Sequence, residues 1–96
     1  MIIGTLQLDL MLYESHSLKD KRSLSKRLIA DLRSHFDLAI AEVESQNLRN
    51  RLGLGIAIVG SESRLLEGIL QQIIDRVQNF PEFEMLDATT ELIHIN

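Results

Sequence analysis

From Ile2 to Tyr13 leucine recurs at positions 6, 8, 10 and 12, with Gln7, Asp9 and Met11 between them. That is the period of two expected of a strand with one face on a core. A chain that opens this way needs a second layer over the leucine face, and the next segment supplies one. In Ser17-Leu18-Lys19-Asp20 a serine precedes an acid by three residues. Its hydroxyl can accept from a free backbone N–H while Asp20 faces the positive end of a helix, so the pattern predicts a helix beginning at Leu18. Leu24, Leu28 and Leu32 follow at intervals of four, with Leu18 and Phe36 at the edge of the same stripe.

The rest of the chain continues this alternation of periods. Leu38 to Ser45 mixes small apolar residues with Glu42 and Glu44 and reads as a strand near a sheet edge. Gln46 to Arg51 is polar and forms a long hairpin loop leading to an apolar run from Leu52 to Val59. Gly60-Ser61 breaks that run, and either Ser61 or Ser63 is placed to cap a helix in which Leu65, Ile69, Ile73 and Val77 recur. Asn79 and Pro81 end it, and Phe83 to Ile95 is a last strand in which Asp87-Ala88-Thr89 marks a bulge or bend. The order strand, helix, strand, strand, helix, strand is the ferredoxin-like arrangement of the α+β class, a four-stranded antiparallel sheet with two helices on one face.

Ninety-six residues suffice for one hydrophobic core, so residues 1–96 are read as a single domain. The absence of cysteine removes disulfides, thiolate zinc sites and cysteine nucleophiles together. No apolar run approaches a membrane span and no signal-type block opens the chain, so a cytoplasmic bacterial protein without a membrane partner is expected. The formal charge is −4 and the pI near 5.2. Any attraction to nucleic acid must therefore be local. It has a place to be local, because six of the ten basic residues lie between Lys19 and Arg33.

The sheet face away from the helices is expected to show Ile3, Thr5, Gln7, Asp9, Met11 and Tyr13 from the first strand. The third strand is apolar on both sides, with Leu54, Ile56 and Ile58 on one and Ala57 and Val59 on the other. Leu70 and Ile74 also widen the apolar arc of the second helix beyond a single stripe. A strand apolar on both faces is usually buried on both, and this predicts a homo-oligomer. The competing reading places that strand deep in a monomer.

The densest polar constellation is His16-Ser17-Leu18-Lys19-Asp20-Lys21-Arg22, an imidazole, a hydroxyl and three cations around the first turn of a helix, where free N–H groups favour anions. The plainer reading is a capping serine with solvated cations around it. Lys19, Arg22, Lys26 and Arg33 fall within roughly 60° of one another on the helix, away from the leucines. Such a basic stripe is the footprint of a phosphate-contacting surface, and equally the commonest exterior of an amphipathic helix. Arg49 and Arg51 of the hairpin loop extend the candidate set, and Arg27 and Asp31 read as a helical i,i+4 pair. The central strands carry no aromatic except Tyr13, which argues against base stacking on the sheet. Gly53-Leu54-Gly55 lacks the rest of a nucleotide fingerprint and reads as a tight turn. His16, His35 and His94 share no ligand spacing, and no serine lies in an elbow motif, so no metal, cofactor or catalytic group is assigned.

The opening strand running into His16-Ser17-Leu18-Lys19-Asp20-Lys21-Arg22, then Ala41-Glu42-Val43 and Gly55-Ile56-Ala57-Ile58-Val59, resembles the YlxP-like family of small bacterial proteins over nearly the whole chain. The resemblance implies a ferredoxin-like fold and transfers no catalytic role. The family's genes commonly lie near those for translation initiation factor 2 and ribosome-binding factor A, which implies by association a place in translation or ribosome maturation. Where relatives often place an aromatic after Gln46, this chain has Asn47-Leu48-Arg49-Asn50-Arg51. Three readings follow. The first is an accessory factor that binds RNA or ribosomal particles through His16, Ser17, Lys19, Lys21, Arg22, Lys26, Arg33, Arg49 and Arg51. The second is a homo-oligomeric protein-binding or scaffold module with no nucleic-acid partner, and the third a phosphate-directed enzyme at the start of the first helix.

Overall fold

The computed structural model describes all 96 residues, Met1–Asn96. Its elements are β1 (Ile2–Leu12), α1 (Leu18–His35), β2 (Ala39–Glu44), β3 (Arg51–Gly60), α2 (Ser63–Gln78) and β4 (Phe83–His94). The strands form one antiparallel sheet in the order β2-β3-β1-β4. This is the ferredoxin-like α+β fold expected from the order of elements.

The leucine alternation of β1 does what its period requires. Leu6, Leu8, Leu10 and Leu12 are buried with Leu52, Leu54, Ile56 and Ile58 of β3, against Leu28 and Leu32 of α1 and Leu66, Leu70, Ile73 and Val77 of α2. The start of α1 is also as expected. Ser17 has extended backbone angles, its hydroxyl accepts from the Asp20 N–H at 3.1 Å, and the Asp20 carboxylate accepts from the His16 N–H at 3.1 Å. Two free donors at the helix start are thereby satisfied by a reciprocal cap.

Four local expectations are corrected. Neither Ser61 nor Ser63 caps α2; its N-cap is Glu62, which makes no side-chain cap bond. The buried stripe of α2 is Leu66, Leu70, Ile73 and Val77, whereas Leu65 is 59% exposed; a strict four-residue spacing drifts by about 40° per step at 100° per residue, so the repeat from Leu65 joins the buried stripe only at Ile73 and Val77. The β1–β4 register shifts between Asp9, opposite Asp87, and Leu10, opposite Met85. The bulged residue is thus Leu86, just ahead of the Asp87-Ala88-Thr89 segment. Finally, Gly53-Leu54-Gly55 is not a turn but the middle of β3.

These glycines explain why β3 looks apolar on both sides. A Cβ on Gly53 would lie 2.8 Å from the Glu44 Cβ, and one on Gly55 would lie 2.9 Å from the Val43 Cγ1. The β2–β3 register shifts between Glu42 and Glu44, a bulge that sends both Val43 and Glu44 to the face away from the helices. At Gly53 and Gly55 this side of β3 carries no side chain because the bulge of the neighbouring strand β2 brings Glu44 and Val43 over those positions.

Candidate functional site

On α1 the residues at one side of the helical wheel, Lys19, Arg22, Ser23, Lys26, Ala30 and Arg33, are all exposed. Lys19, Arg22, Lys26 and Arg33 take part in none of the ion pairs of the molecule. Arg33 reaches only the Ile40 carbonyl, at 3.4 Å. From Lys19 to Arg33 the row extends about 21 Å along a continuous helix.

The other candidates separate. Ser17 is committed to the cap, and His16 is exposed beside it and lines neither of the two hollows on the open face of the sheet. The pocket joining His16 to the cations that a phosphate-directed enzyme needs is not among them. Arg49 donates to the Ser15 carbonyl at 3.0 Å, which draws the β2–β3 loop beside the start of α1. Arg51 lies on the far side of the sheet, where its guanidinium holds both oxygens of Asp9 at 2.6 and 3.3 Å.

Lys21 is withdrawn from solvent. It lies on the same side of α1 as Leu28 and Leu32, and its side chain is 2% exposed. The ammonium donates to the Ser45 carbonyl and sits 2.7 Å from the Glu42 carboxylate, a charge contact off the hydrogen-bonding direction. Ser45 has a left-handed backbone with φ of 61°, a conformation uncommon outside glycine. Lys21 thus ties α1 to the place where β2 ends and the loop begins, and it is unavailable to a phosphate. The helical period shows this in retrospect, since Lys21 and Leu28 are seven residues apart and share a face.

A second ion-pair group joins the helices. Asp31 accepts from Arg76 of α2 at 2.6 and 2.9 Å, and Arg27 pairs with Glu82 at 3.2 Å. The i,i+4 pairing of Arg27 with Asp31 is therefore replaced by two contacts across elements. The Arg76 hydrogen bonds hold the Asp31 carboxyl below the usual carboxylate range, against the opposing effect of desolvation. A depressed carboxylate pKa contributes stability that is present above the unfolded value and is lost as pH falls through the folded one. Asp31→Asn is expected to lower Tm by about 2–4 °C at neutral pH, the small range fitting a pair still partly open to water. The gap should close below about pH 4. Melting curves from pH 7 to pH 2 test this, and a gap that persists in acid would contradict it.

The face of the sheet away from the helices is organised in rows across the strands. The strand registers place Val59, Ile3 and Ile93 in one row and Ala39, Ala57, Thr5 and Glu91 in the next. Ala41, Gly55, Gln7 and Thr89 form a third, and Glu44, Gly53, Asp9 and Asp87 a fourth. The two middle rows floor a shallow hollow of about 710 Å³. A smaller, polar hollow of about 270 Å³ lies over the fourth row and includes Arg51.

The sequence matches the family described as "Protein of unknown function (DUF503)" over residues 3–90. It is 32% identical over 90 residues to the Uncharacterized protein YlxP of Bacillus subtilis (strain 168), an alignment covering 94% of this chain and 98% of that protein. Both agree with the resemblance to the YlxP-like family. The chain belongs to the DUF503 family of proteins of unknown function, of which YlxP is a relative.

Proposed function

We propose that this protein is an RNA- or ribosome-associated accessory factor that holds phosphates on the outer face of α1. The observation that carries the reading is the row Lys19, Arg22, Lys26 and Arg33, exposed and free of ion pairs along one helix face. In a chain of net charge −4 such a row is a local attraction, and its binding should depend steeply on salt. Of the two loop-side arginines, Arg49 stands beside the start of this helix through its hydrogen bond to the Ser15 carbonyl, whereas Arg51 and Lys21 are engaged elsewhere.

The test is cosedimentation with ribosomal particles. The wild type should pellet at low salt and be released as salt rises, and a K19E/R22E/K26E variant should bind at least about tenfold more weakly. All three positions are exposed, so the variant should keep its fold. Equal binding by the variant would reject the patch. The alternative, a homo-oligomeric scaffold module, draws on the exposed Val59 and Ile93 at 64% and 40% beside Ile3. Light scattering at high micromolar concentration decides it, and a monomer there removes its premise.

A further inference from the structure

We propose that the open face of the sheet is a second binding surface, opposite in chemistry to α1, that receives a short amphipathic basic helix from a partner protein. The reading is independent of RNA binding. The hollow runs across the strands, and the rows of the sheet that flank it on either side are unlike and serve as its walls. One is apolar, made by Val59, Ile3 and Ile93, with Val59 64% and Ile93 40% exposed. The other is acidic, made by Glu44, Asp9 and Asp87; Arg51 pairs with Asp9, so the charge left over is that of Glu44 and Asp87.

Size and floor agree with a helix. Ile3 and Asp9 are six residues apart on β1, a separation of about 20 Å. With the wall side chains in place this leaves room for a helix about 10–12 Å across. Between them the floor is Ala39, Ala41, Gly55 and Ala57 with Thr5 and Gln7, while Val43 lines the hollow on β2 and Thr89 and Glu91 line it on β4; the small side chains at its centre let a helix backbone come close. Four strands span about 14 Å between their axes, the length of about three helical turns. A helix with a leucine-type stripe toward the first wall and lysines or arginines toward the second satisfies both, the usual logic of helix-in-groove recognition.

Charge complementarity selects this occupant over the others. A second copy presenting the same face would oppose carboxylates to carboxylates in one two-fold orientation and bury them against the Val59–Ile3–Ile93 row in the other. The α1 face of a second copy has the right charge, but Lys19, Arg22, Ser23, Lys26, Ala30 and Arg33 offer no large apolar residue to the Val59–Ile3–Ile93 wall. Nucleic acid would meet the acidic wall with like charge.

The experiment is a titration of the ¹⁵N-labelled full chain with a synthetic leucine/lysine amphipathic helix of about three turns, beside a leucine/glutamate peptide of the same pattern. The leucine/lysine peptide should move the amide signals of Thr5, Gln7, Ala57 and Thr89. Its affinity should fall by about tenfold in high salt, and by a similar factor in an E44K/D87K variant. Ala41→Phe, at an exposed position of the edge strand that floors the hollow, should weaken binding about tenfold by filling it; if that variant does not fold, the lysine pair carries the test. Shifts confined to other surfaces, equal binding of the leucine/glutamate peptide, or unchanged binding by E44K/D87K would overturn the proposal. So would shifts of these same signals with protein concentration alone, which would assign the face to a second copy.

Discussion

Replacing Glu42 with leucine should lower the stability of the fold by about 3 kcal/mol, the low end of the cost of breaking a buried ion pair. The effect comes from what remains. The Lys21 ammonium stays buried at the end of a helix-anchored side chain, with the Ser45 carbonyl as its remaining partner. The Glu42 oxygen facing Lys21 is buried although the side chain as a whole is 26% exposed, and the hydrogen bond to Ser45 that survives keeps the loss from the upper end of the range. Lys21→Met removes the charge instead of stranding it, and the partly exposed carboxylate of Glu42 can turn to solvent, so its cost should be only about 1 kcal/mol. The double variant K21M/E42L should recover most of the loss caused by E42L. Urea unfolding of the four proteins forms the cycle, and an E42L variant as stable as the wild type would show that the pair does not hold α1 to β2.

A Gly53→Val variant should lose about 3 kcal/mol and loosen the pairing of β2 with β3, a loss within the range for overpacking in a close-packed site. The added Cβ would meet the Glu44 Cβ at 2.8 Å, its carbonyl oxygen at 3.1 Å and its Cα at 3.2 Å. Backbone atoms cannot swing aside as a side-chain tip can, so the bulge itself must move. Gly55→Ala meets only the Val43 side chain and should cost about 1 kcal/mol. Gly68 is the contrast. It lies within α2, a Cβ there has nothing within 4 Å, and Gly68→Ala should stabilise the protein by about 0.5–1 kcal/mol through helix propensity. Thermal and urea unfolding of the three variants give the order, and a Gly53→Val protein with wild-type stability and intact β2 amide protection would contradict the close approach.

Much of the candidate site was readable in the sequence. The basic row from Lys19 to Arg33 follows from helical period alone, because four cations fall on one side and the leucines on the other. The cap at Ser17 and Asp20 is equally local, and its donors and acceptors lie within four residues. What period does not state is which residues at the margin of a stripe the core will take. Lys21 counts as a cation in composition but lies with the leucines in space, and Glu42 of β2 together with the Ser45 carbonyl makes that burial tolerable. Asp31 likewise has Arg27 and His35 as candidate partners on its own helix and Arg76 on the other, and the packing of α1 beside α2 gives both its oxygens to Arg76, with His35 3.8 Å away.

The sequence by itself determined the order and type of the elements, the leucine face of β1, the start of α1 and the direction in which its cations point. Each of these follows from residues a few positions apart, where backbone geometry fixes the spacing. The tertiary structure decided the phase of α2, the bulges opposite Asp9 and Gly53, the burial of Lys21, and the removal of Arg51 to the far side of the sheet. It also decided the rows that set an apolar wall against an acidic one across the open face. Those features depend on strand register and on how layers meet, and they are contacts between residues separated by tens of positions, whose pairing no local pattern encodes.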